Sequence, residues 1–249
     1  MGGHFATRLL DEQGHWLDQT KGFNSSADIS PTAGQMPRLL GLAQASKLYR
    51  ALPETAALKK RFTQGGNEIA IGTIGDSSTS EGPFWETMNA AGVLQVPMLM
   101  NVWDDGYGIS VPKKYQTTKA SISVALSGMQ KEEDTNGIVI YRVKGWDYPA
   151  LVSTYEQAAK RCRDEHVPVL LHVEEVTQPQ GHSTSGSHER YKSKERMAWA
   201  AEFDCIRQFE KFLLLEGAAT QVDLDEIRKK VKKEVRNEQK TAWADFRAS

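Results

Sequence analysis

The sequence predicts an α/β protein built on a parallel sheet flanked by helices. Short apolar runs rich in β-branched residues alternate with longer segments of helical character, as in the βαβ units that build parallel sheets. The runs are almost continuously apolar, which is typical of strands buried on both faces. With 249 residues, the chain is long enough for one large domain.

Four strands are predicted after an irregular start. Residues 1–36 contain glycine, asparagine and proline without a persistent period, so we expect little regular structure there. The predicted strands are 68–74 (EIAIGTI), 97–103 (PMLMNVW), 138–143 (IVIYRV) and 168–176 (PVLLHVEEV).

Helices are predicted between and after these strands. Pro37 suits the first turn of the first helix, and a capping box formed by Asp223 and Glu226 is expected to begin the last one. The predicted helices are 37–50, 82–95, a weaker one at 118–130, 148–166, 197–215 and 223–246.

The helical segments suggest a division of the chain into two parts. We predict one domain over residues 1–215 and a charged C-terminal helix over 216–249. This last helix has two equal interpretations: a linker into a further domain, or an ordinary solvated helix.

Composition excludes several function classes. The 31 basic and 32 acidic residues give a formal charge of -1, so no global positive field exists to hold nucleic acid or an anionic membrane. No run has the length of a membrane span, and the N-terminus lacks a secretory pattern. Two cysteines are too few for a disulfide framework or a four-ligand zinc site. The sequence therefore predicts a cytoplasmic protein without nucleic-acid or membrane partners.

Two acidic loops follow consecutive predicted strands. The first is Gly75-Asp76-Ser77 and the second is DDGYG at 104–108. Both reach the carboxyl edge of the sheet, where open parallel sheets bind ligands. Carboxylates there suit a hard divalent cation with room for phosphate oxygens, and the helix starting near Gly82 offers free N–H groups to a phosphate. The alternative is that these are ordinary turn residues that bind nothing.

Longer stretches carry a family resemblance. GDSSTSEGPFWETMNAAGVLQVPMLMNVWDDGYGIS resembles the thiamine diphosphate motif in the α-type half of the decarboxylating component of 2-oxo acid dehydrogenases. ISPTAGQMPRLLGLAQASKL, VKGWD and QGHSTSGSHERYKSKE resemble further segments of that family in the same order. The resemblance implies a thiamine diphosphate-binding fold with C-terminal helices. It also implies an enzyme that decarboxylates a 2-oxo acid, branched-chain or pyruvate, and acylates a lipoyl group.

The resemblance also implies the site residues. Magnesium would bind the Asp76 carboxylate, the Asp105 carboxylate and the Tyr107 backbone carbonyl. His182 matches the active-site histidine, whereas His188 has no match and is predicted to be solvated. Further cofactor contacts are implied for Gly75, Ser77 and Ser78 along the diphosphate, Ser30 and Thr32 along the aminopyrimidine, and Ile109 beside the bent cofactor.

Two departures from the family pattern bear on these roles. The pair DD replaces NN, so Asp105 adds a negative charge that a cation such as Lys113, Lys114 or a partner group must offset. The upstream helical segment with its Tyr-Arg pair has no counterpart, which predicts a fragment or an altered start.

The resemblance implies two partners. A β-type half, as a separate chain in a heterotetramer or as a fused domain, would supply the glutamate that works on the aminopyrimidine. The lipoyl acyltransferase component would be the second partner. Two alternatives stay open: a transketolase-like transferase, which would lack the HSTS loop, and a folded fragment that binds no cofactor without its partner.

Overall fold

A computed structural model describes residues 7–27, 29–52, 60–178, 180–182 and 187–248. The strands are β1 (Ala70–Gly75), β2 (Met98–Trp103), β3 (Tyr107–Gly108), β4 (Val111–Pro112), β5 (Val139–Lys144) and β6 (Val169–Glu174). The α-helices are α1 (Met36–Ala51), α2 (Gly82–Leu94), α3 (Ile122–Ala125), α4 (Tyr148–Glu165), α5 (Lys194–Glu202), α6 (Cys205–Leu215) and α7 (Gln221–Ala248).

The long strands form a parallel sheet in the order β1-β2-β6-β5. The central strands β2 and β6 are almost wholly buried, as their continuous apolar runs predict. In register, Gly75 pairs with Trp103, and Trp103 with Val173, so three strands end at one level. The predicted parallel α/β architecture is confirmed.

The core lies on both faces of this sheet. On one face, Phe84 and Met88 of α2 pack with Met100 of β2 and with α1. On the other, Ala158 and Cys162 of α4 pack in a second cluster with β2, β5 and β6. Alternate residues of β2 therefore point into different clusters, which is the period-2 geometry of a strand covered on both sides.

Two predicted helices are wrong in detail. The segment 118–130 is a series of short turns around α3, because Lys119 and Ala120 adopt positive φ and Ser121 is extended. This stretch is rich in serine and β-branched residues, which are weak helix formers. The predicted helix 197–215 is instead α5 and α6, because Asp204 caps the N-terminus of α6 by accepting the Arg207 N–H at 3.0 Å.

The last helix begins earlier than predicted. Its capping box is Thr220 with Asp223: the Asp223 carboxylate accepts the Thr220 N–H at 2.8 Å, and Thr220 Oγ1 accepts the Asp223 N–H at 3.3 Å. Leu224 is buried, and Arg228 pairs with Glu210 of α6. The proposed division at residue 215 stays a prediction. In the described part of the chain, no helix has the length and apolar character needed to cross a membrane.

Truncation of Phe84 should strongly destabilise the protein. Its ring is fully buried between α2 and the sheet, so Phe84→Ala should lower the free energy of unfolding by about 3–5 kcal/mol. Val93 in the same helix is 60% exposed, and Val93→Ala should change that free energy by less than about 0.5 kcal/mol. Urea denaturation measures both variants; equal losses would contradict this packing.

Candidate functional site

The two acidic loops lie side by side at the carboxyl edge of the sheet. The Asp76 N–H donates to the Trp103 carbonyl at 3.1 Å, and the Asp104 N–H donates to the Val173 carbonyl at 2.9 Å. Each aspartate thus stands one residue beyond a strand and is fixed by the neighbouring strand. The predicted adjacency of the loops is confirmed.

The second loop turns into the β3–β4 hairpin and contacts the first loop. The Asp105 carboxylate accepts the Tyr107 N–H at 3.0 Å, and Gly106 takes a φ of +86° that suits glycine. A Cβ on Gly108 would lie 2.7 Å from the Ser77 Cβ, so this close approach requires glycine. The hairpin is therefore held directly against the turn that follows Asp76.

Asp76 is buried and incompletely bonded. It is 5% exposed, and its Oδ2 has no hydrogen-bond partner within the described residues. Burial raises the pKa of Asp76 to about 7, and repulsion from Asp104 and Asp105 adds to that rise. A buried carboxylate oxygen without a donor is a favourable position for a cation.

Asp104 is also buried and its Oδ1 has no hydrogen-bond partner within the described residues, but its Oδ2 has two side-chain donors. Its Oδ2 accepts a hydrogen bond from Lys113 Nζ at 2.5 Å and another from His172 Nε2 at 2.9 Å. Ser123 Oγ lies 2.9 Å from His172 Nδ1, which completes a buried chain of three side chains. Burial works against ionisation of Asp104, but the bonds from His172 and Lys113 outweigh it and lower the pKa of Asp104.

The lysines of the hairpin have different partners. Sequence reasoning expected Lys113 or Lys114 to offset the charge of Asp105. Lys113 instead pairs with Asp104, while Lys114 lies over the Tyr115 ring at 4.9 Å. The Asp104 ion pair is firmly placed because the carboxylate is buried and bonded twice.

A cleft collects several of the predicted cofactor residues. It has a volume of about 250 Å³ and opens between the segment before α1 and the end of β1. Its lining brings predicted residues from two distant segments together: Ser30 and Thr32 with Gly75 and Ser78. Thr73, Ile74 and Gln35 complete its wall near the strand.

Ile109, His182 and His188 do not line this cleft. Ile109, at the tip of the β3–β4 hairpin, is 59% exposed and has a φ of +60°, which is strained for a β-branched residue. His182 is exposed, and its role stays a prediction; residues 183–186, with the Ser183 loop, lie outside the described residues. His188 was predicted to be solvated, which is wrong: it is half-buried and packs edge-on against Tyr191.

Sequence reasoning missed four side chains around the loops. His172 and Ser123 support Asp104, while Lys192 and Arg196 lie beside Asp105. His172 is a polar residue in the apolar run of a central strand, and this interruption of the pattern could have marked it as a candidate site residue. Nothing in the local pattern marks Lys192 or Arg196.

The oxygen donors at this edge fit a magnesium ion. No group of three or more His, Cys, Asp or Glu side chains suited to a metal is found within the described residues. Magnesium does not require such a group, because it usually binds one or two carboxylates and takes its other oxygens from phosphate and water. Asp76 Oδ2, which has no hydrogen-bond partner among the described residues, supplies one such oxygen, and the adjacent loop carries the Asp105 carboxylate.

Comparison with known proteins identifies the family. The family model described as dehydrogenase E1 component matches residues 12–247, nearly the whole chain. The chain belongs to the dehydrogenase E1 component family. The α-type resemblance of the motifs agrees with this assignment.

Two curated relatives are named as α subunits of dehydrogenases. The pyruvate dehydrogenase E1 component subunit alpha of Rickettsia bellii is 27% identical over 172 residues, which is 69% of this chain and 50% of the relative. The 3-methyl-2-oxobutanoate dehydrogenase subunit alpha of Mycobacterium tuberculosis is 30% identical over 180 residues, 72% of this chain and 46% of the relative. The chain thus spans about half the length of the curated relatives it matches.

A solved structure with a more distant likeness is a transketolase from Campylobacter jejuni. It is 17% identical with a TM-score of 0.44, and the match covers 59% of this chain and 20% of that one.

The raised pKa of Asp76 predicts a loss of stability with rising pH in metal-free protein. The unfolded Asp76 loses its proton near pH 4, whereas the folded one keeps it until about pH 7, so folding becomes less favourable between these values. Wild type should lose stability from pH 5 to pH 8, by an amount on the order of a few kcal/mol, relative to Asp76→Asn. Urea unfolding at both pH values measures this difference.

The control for this measurement is Asp134→Asn. Asp134 is exposed on a loop before β5, so its substitution should leave the pH dependence of wild type unchanged. Parallel pH curves for wild type and Asp76→Asn would show that Asp76 has an ordinary pKa.

Proposed function

We propose that this chain is the magnesium- and thiamine diphosphate-binding half of a 2-oxo acid dehydrogenase. The whole enzyme would decarboxylate a 2-oxo acid and acylate a lipoyl group. The observation that carries the proposal is the buried, unpartnered Asp76 carboxylate oxygen, placed next to a cleft formed by the expected cofactor residues in a member of the E1 component family.

The two loops would divide the work of holding the cofactor. Asp76, Asp105 and the Tyr107 carbonyl would hold magnesium, with the hairpin position fixed by the contact of Gly108 with Ser77. The turn at 77–80 would approach the diphosphate through Ser77 and Ser78, beside Gly75.

Thiamine diphosphate, when bound, supplies the electron sink that decarboxylation of a 2-oxo acid needs. The role of this chain would be to bind the cofactor and to orient it. Ser30 and Thr32 would lie along the aminopyrimidine, and the strained, exposed Ile109 would flank the bent cofactor. His182 would act as the catalytic histidine, because an imidazole can donate a proton near neutral pH.

The names of the relatives support the proposed substrate class. One is named for pyruvate and the other for 3-methyl-2-oxobutanoate, a branched-chain 2-oxo acid. The SPTAGQMP and HSTS stretches favour the branched-chain class. We therefore propose a 2-oxo acid substrate, with the branched-chain acid as the first to assay. The E1 family match favours a dehydrogenase over the transketolase-like alternative.

The geometry also favours a partner at this edge. A cleft of about 250 Å³ is smaller than the roughly 300–1,000 Å³ of typical ligand pockets, so a second surface would complete it. Exposed apolar side chains surround the hairpin, among them Ile109 and Tyr115. We propose that a β-type half covers this surface, in a heterotetramer or as a fused domain, and that the lipoyl acyltransferase component receives the acyl group. Location in the cytoplasm is part of the same proposal.

Magnesium-dependent binding of thiamine diphosphate should require Asp76. In calorimetric titrations at pH 8, Asp76→Asn should weaken this binding at least about tenfold, because the amide lacks the charge that magnesium binds. Asp134→Asn, with the same charge change at an exposed site, should bind as wild type does. Unchanged affinity in Asp76→Asn would remove Asp76 from the site.

Titrations with and without the β-type half test the partner. The incomplete cleft predicts weaker binding by the chain alone and tighter binding once the β-type half is added. Release of carbon dioxide from a panel of 2-oxo acids then identifies the substrate. Absence of cofactor binding in the complete assembly would overturn the proposed function.

A further inference from the structure

Lys192 is a buried cation next to the candidate magnesium site. It is 8% exposed, and no carboxylate lies within ion-pair distance of its Nζ among the described residues. Its Nζ lies 4.8 Å from the centre of the Tyr107 ring and 5.7 Å from that of Tyr191, and 3.4 Å from His188 Nε2. Aromatic faces stabilise such a cation only in part, so the burial of its charge requires a further explanation.

Tyr107 connects Lys192 to an acidic group: its ring lies 4.8 Å from Lys192 Nζ, and its backbone N–H donates to the Asp105 carboxylate at 3.0 Å. Burial lowers the pKa of Lys192, while the nearby charge of Asp105 acts to raise it. Arg196 lies on the same side: its Nη2 donates to the Asp105 backbone carbonyl at 3.3 Å, and its guanidinium lies over the Trp199 ring at 4.1 Å. Lys192 and Arg196 therefore both lie close to the loop that carries Asp105.

The two loops carry three carboxylates, and the neighbours that could offset the negative charge differ from one carboxylate to the next. Lys113 and His172 both donate to Asp104 Oδ2, whereas Asp104 Oδ1 is buried and has no hydrogen-bond partner within the described residues. Lys192 lies near Asp105 without contacting its carboxylate. Within the described residues, Asp76 Oδ2 has no hydrogen-bond partner and Asp76 forms no ion pair. The site therefore needs added positive charge at Asp76.

We propose that Lys192 is a positioning residue that offsets the charge of Asp105, so that the double aspartate loop holds one divalent cation and still accepts a diphosphate. This inference rests on the proposed function. The positive charge of Lys192 would affect the two binding affinities in opposite directions, because it repels magnesium and attracts diphosphate. A residue that only fills space would change both affinities in the same direction.

The test is Lys192→Met in the full chain, assembled with its β-type half. The methionine keeps the length and apolar stem of the side chain and removes the charge. Calorimetry should show magnesium alone binding more tightly and thiamine diphosphate, at saturating magnesium, binding more weakly, each by a factor on the order of five. Lys192→Arg should restore both affinities to within about twofold of wild type.

Lys194→Met is the matched control. Lys194 is two residues away and exposed, so the same loss of charge should leave both affinities within about twofold of wild type. If Lys192→Met weakens the binding of both ligands, or changes neither affinity, Lys192 has only a packing role and the inference is wrong. If wild type itself binds neither ligand, the proposed function fails instead.

A cofactor-free measurement tests the same pair independently. Urea unfolding of wild type, Lys192→Met, Asp105→Asn and the double variant forms a double-mutant cycle. The folding equilibrium constant of the double variant should exceed the product expected from the singles by at least about threefold. Additive effects would show that Lys192 and Asp105 do not interact, and would overturn the inference even if cofactor binding is as proposed.

Discussion

The parallel register of β1, β2 and β6 is the constraint on which the site depends. Gly75 and Trp103, the last residues of β1 and β2, lie level with Val173 near the end of β6, and main-chain hydrogen bonds hold the residues after Gly75 and Trp103 against the neighbouring strands. A shift of one residue would reverse every side chain between the two core clusters, so packing on both faces fixes the register. The hydrophobic core thereby determines where Asp76 and Asp104 lie.

This placement brings the Asp76 and Asp104 carboxylates to buried positions at the same edge of the sheet. The three carboxylates have different hydrogen-bond partners. Asp104 Oδ2 accepts from Lys113 and His172, and the Asp105 carboxylate accepts from the Tyr107 N–H. Asp76 Oδ2 has no partner among the described residues. Burial raises the pKa of Asp76, whereas the hydrogen bonds from His172 and Lys113 outweigh burial at Asp104 and lower its pKa. Such divergence marks sites where a charged ligand completes the electrostatics.

Much of the fold was accessible from local pattern. The four strands of the parallel sheet, the helices α1, α2 and α4 and the meeting of the two loops are predicted correctly, because apolar periodicity and βαβ order are local properties. The stretch 118–130 was wrong because positive φ at Lys119 and Ala120 is set by its packing, not by propensity. The break between α5 and α6 was missed because Asp204 was not recognised as a cap. The motifs also led to the E1 family, which the match over 12–247 establishes.

The sequence by itself determined the fold class, the family and the residues expected to face a cofactor, since those depend on short motifs and their spacing. Only the tertiary structure decided which groups contact the aspartates. His172, 68 residues from Asp104, contacts the Asp104 carboxylate, and Arg196, 91 residues from Asp105, donates to the Asp105 backbone carbonyl. These contacts depend on the strand order β1-β2-β6-β5 and on the return of the segment before α5 to the sheet edge. Electrostatic compensation acts through space, so residue spacing along the chain carries no record of it.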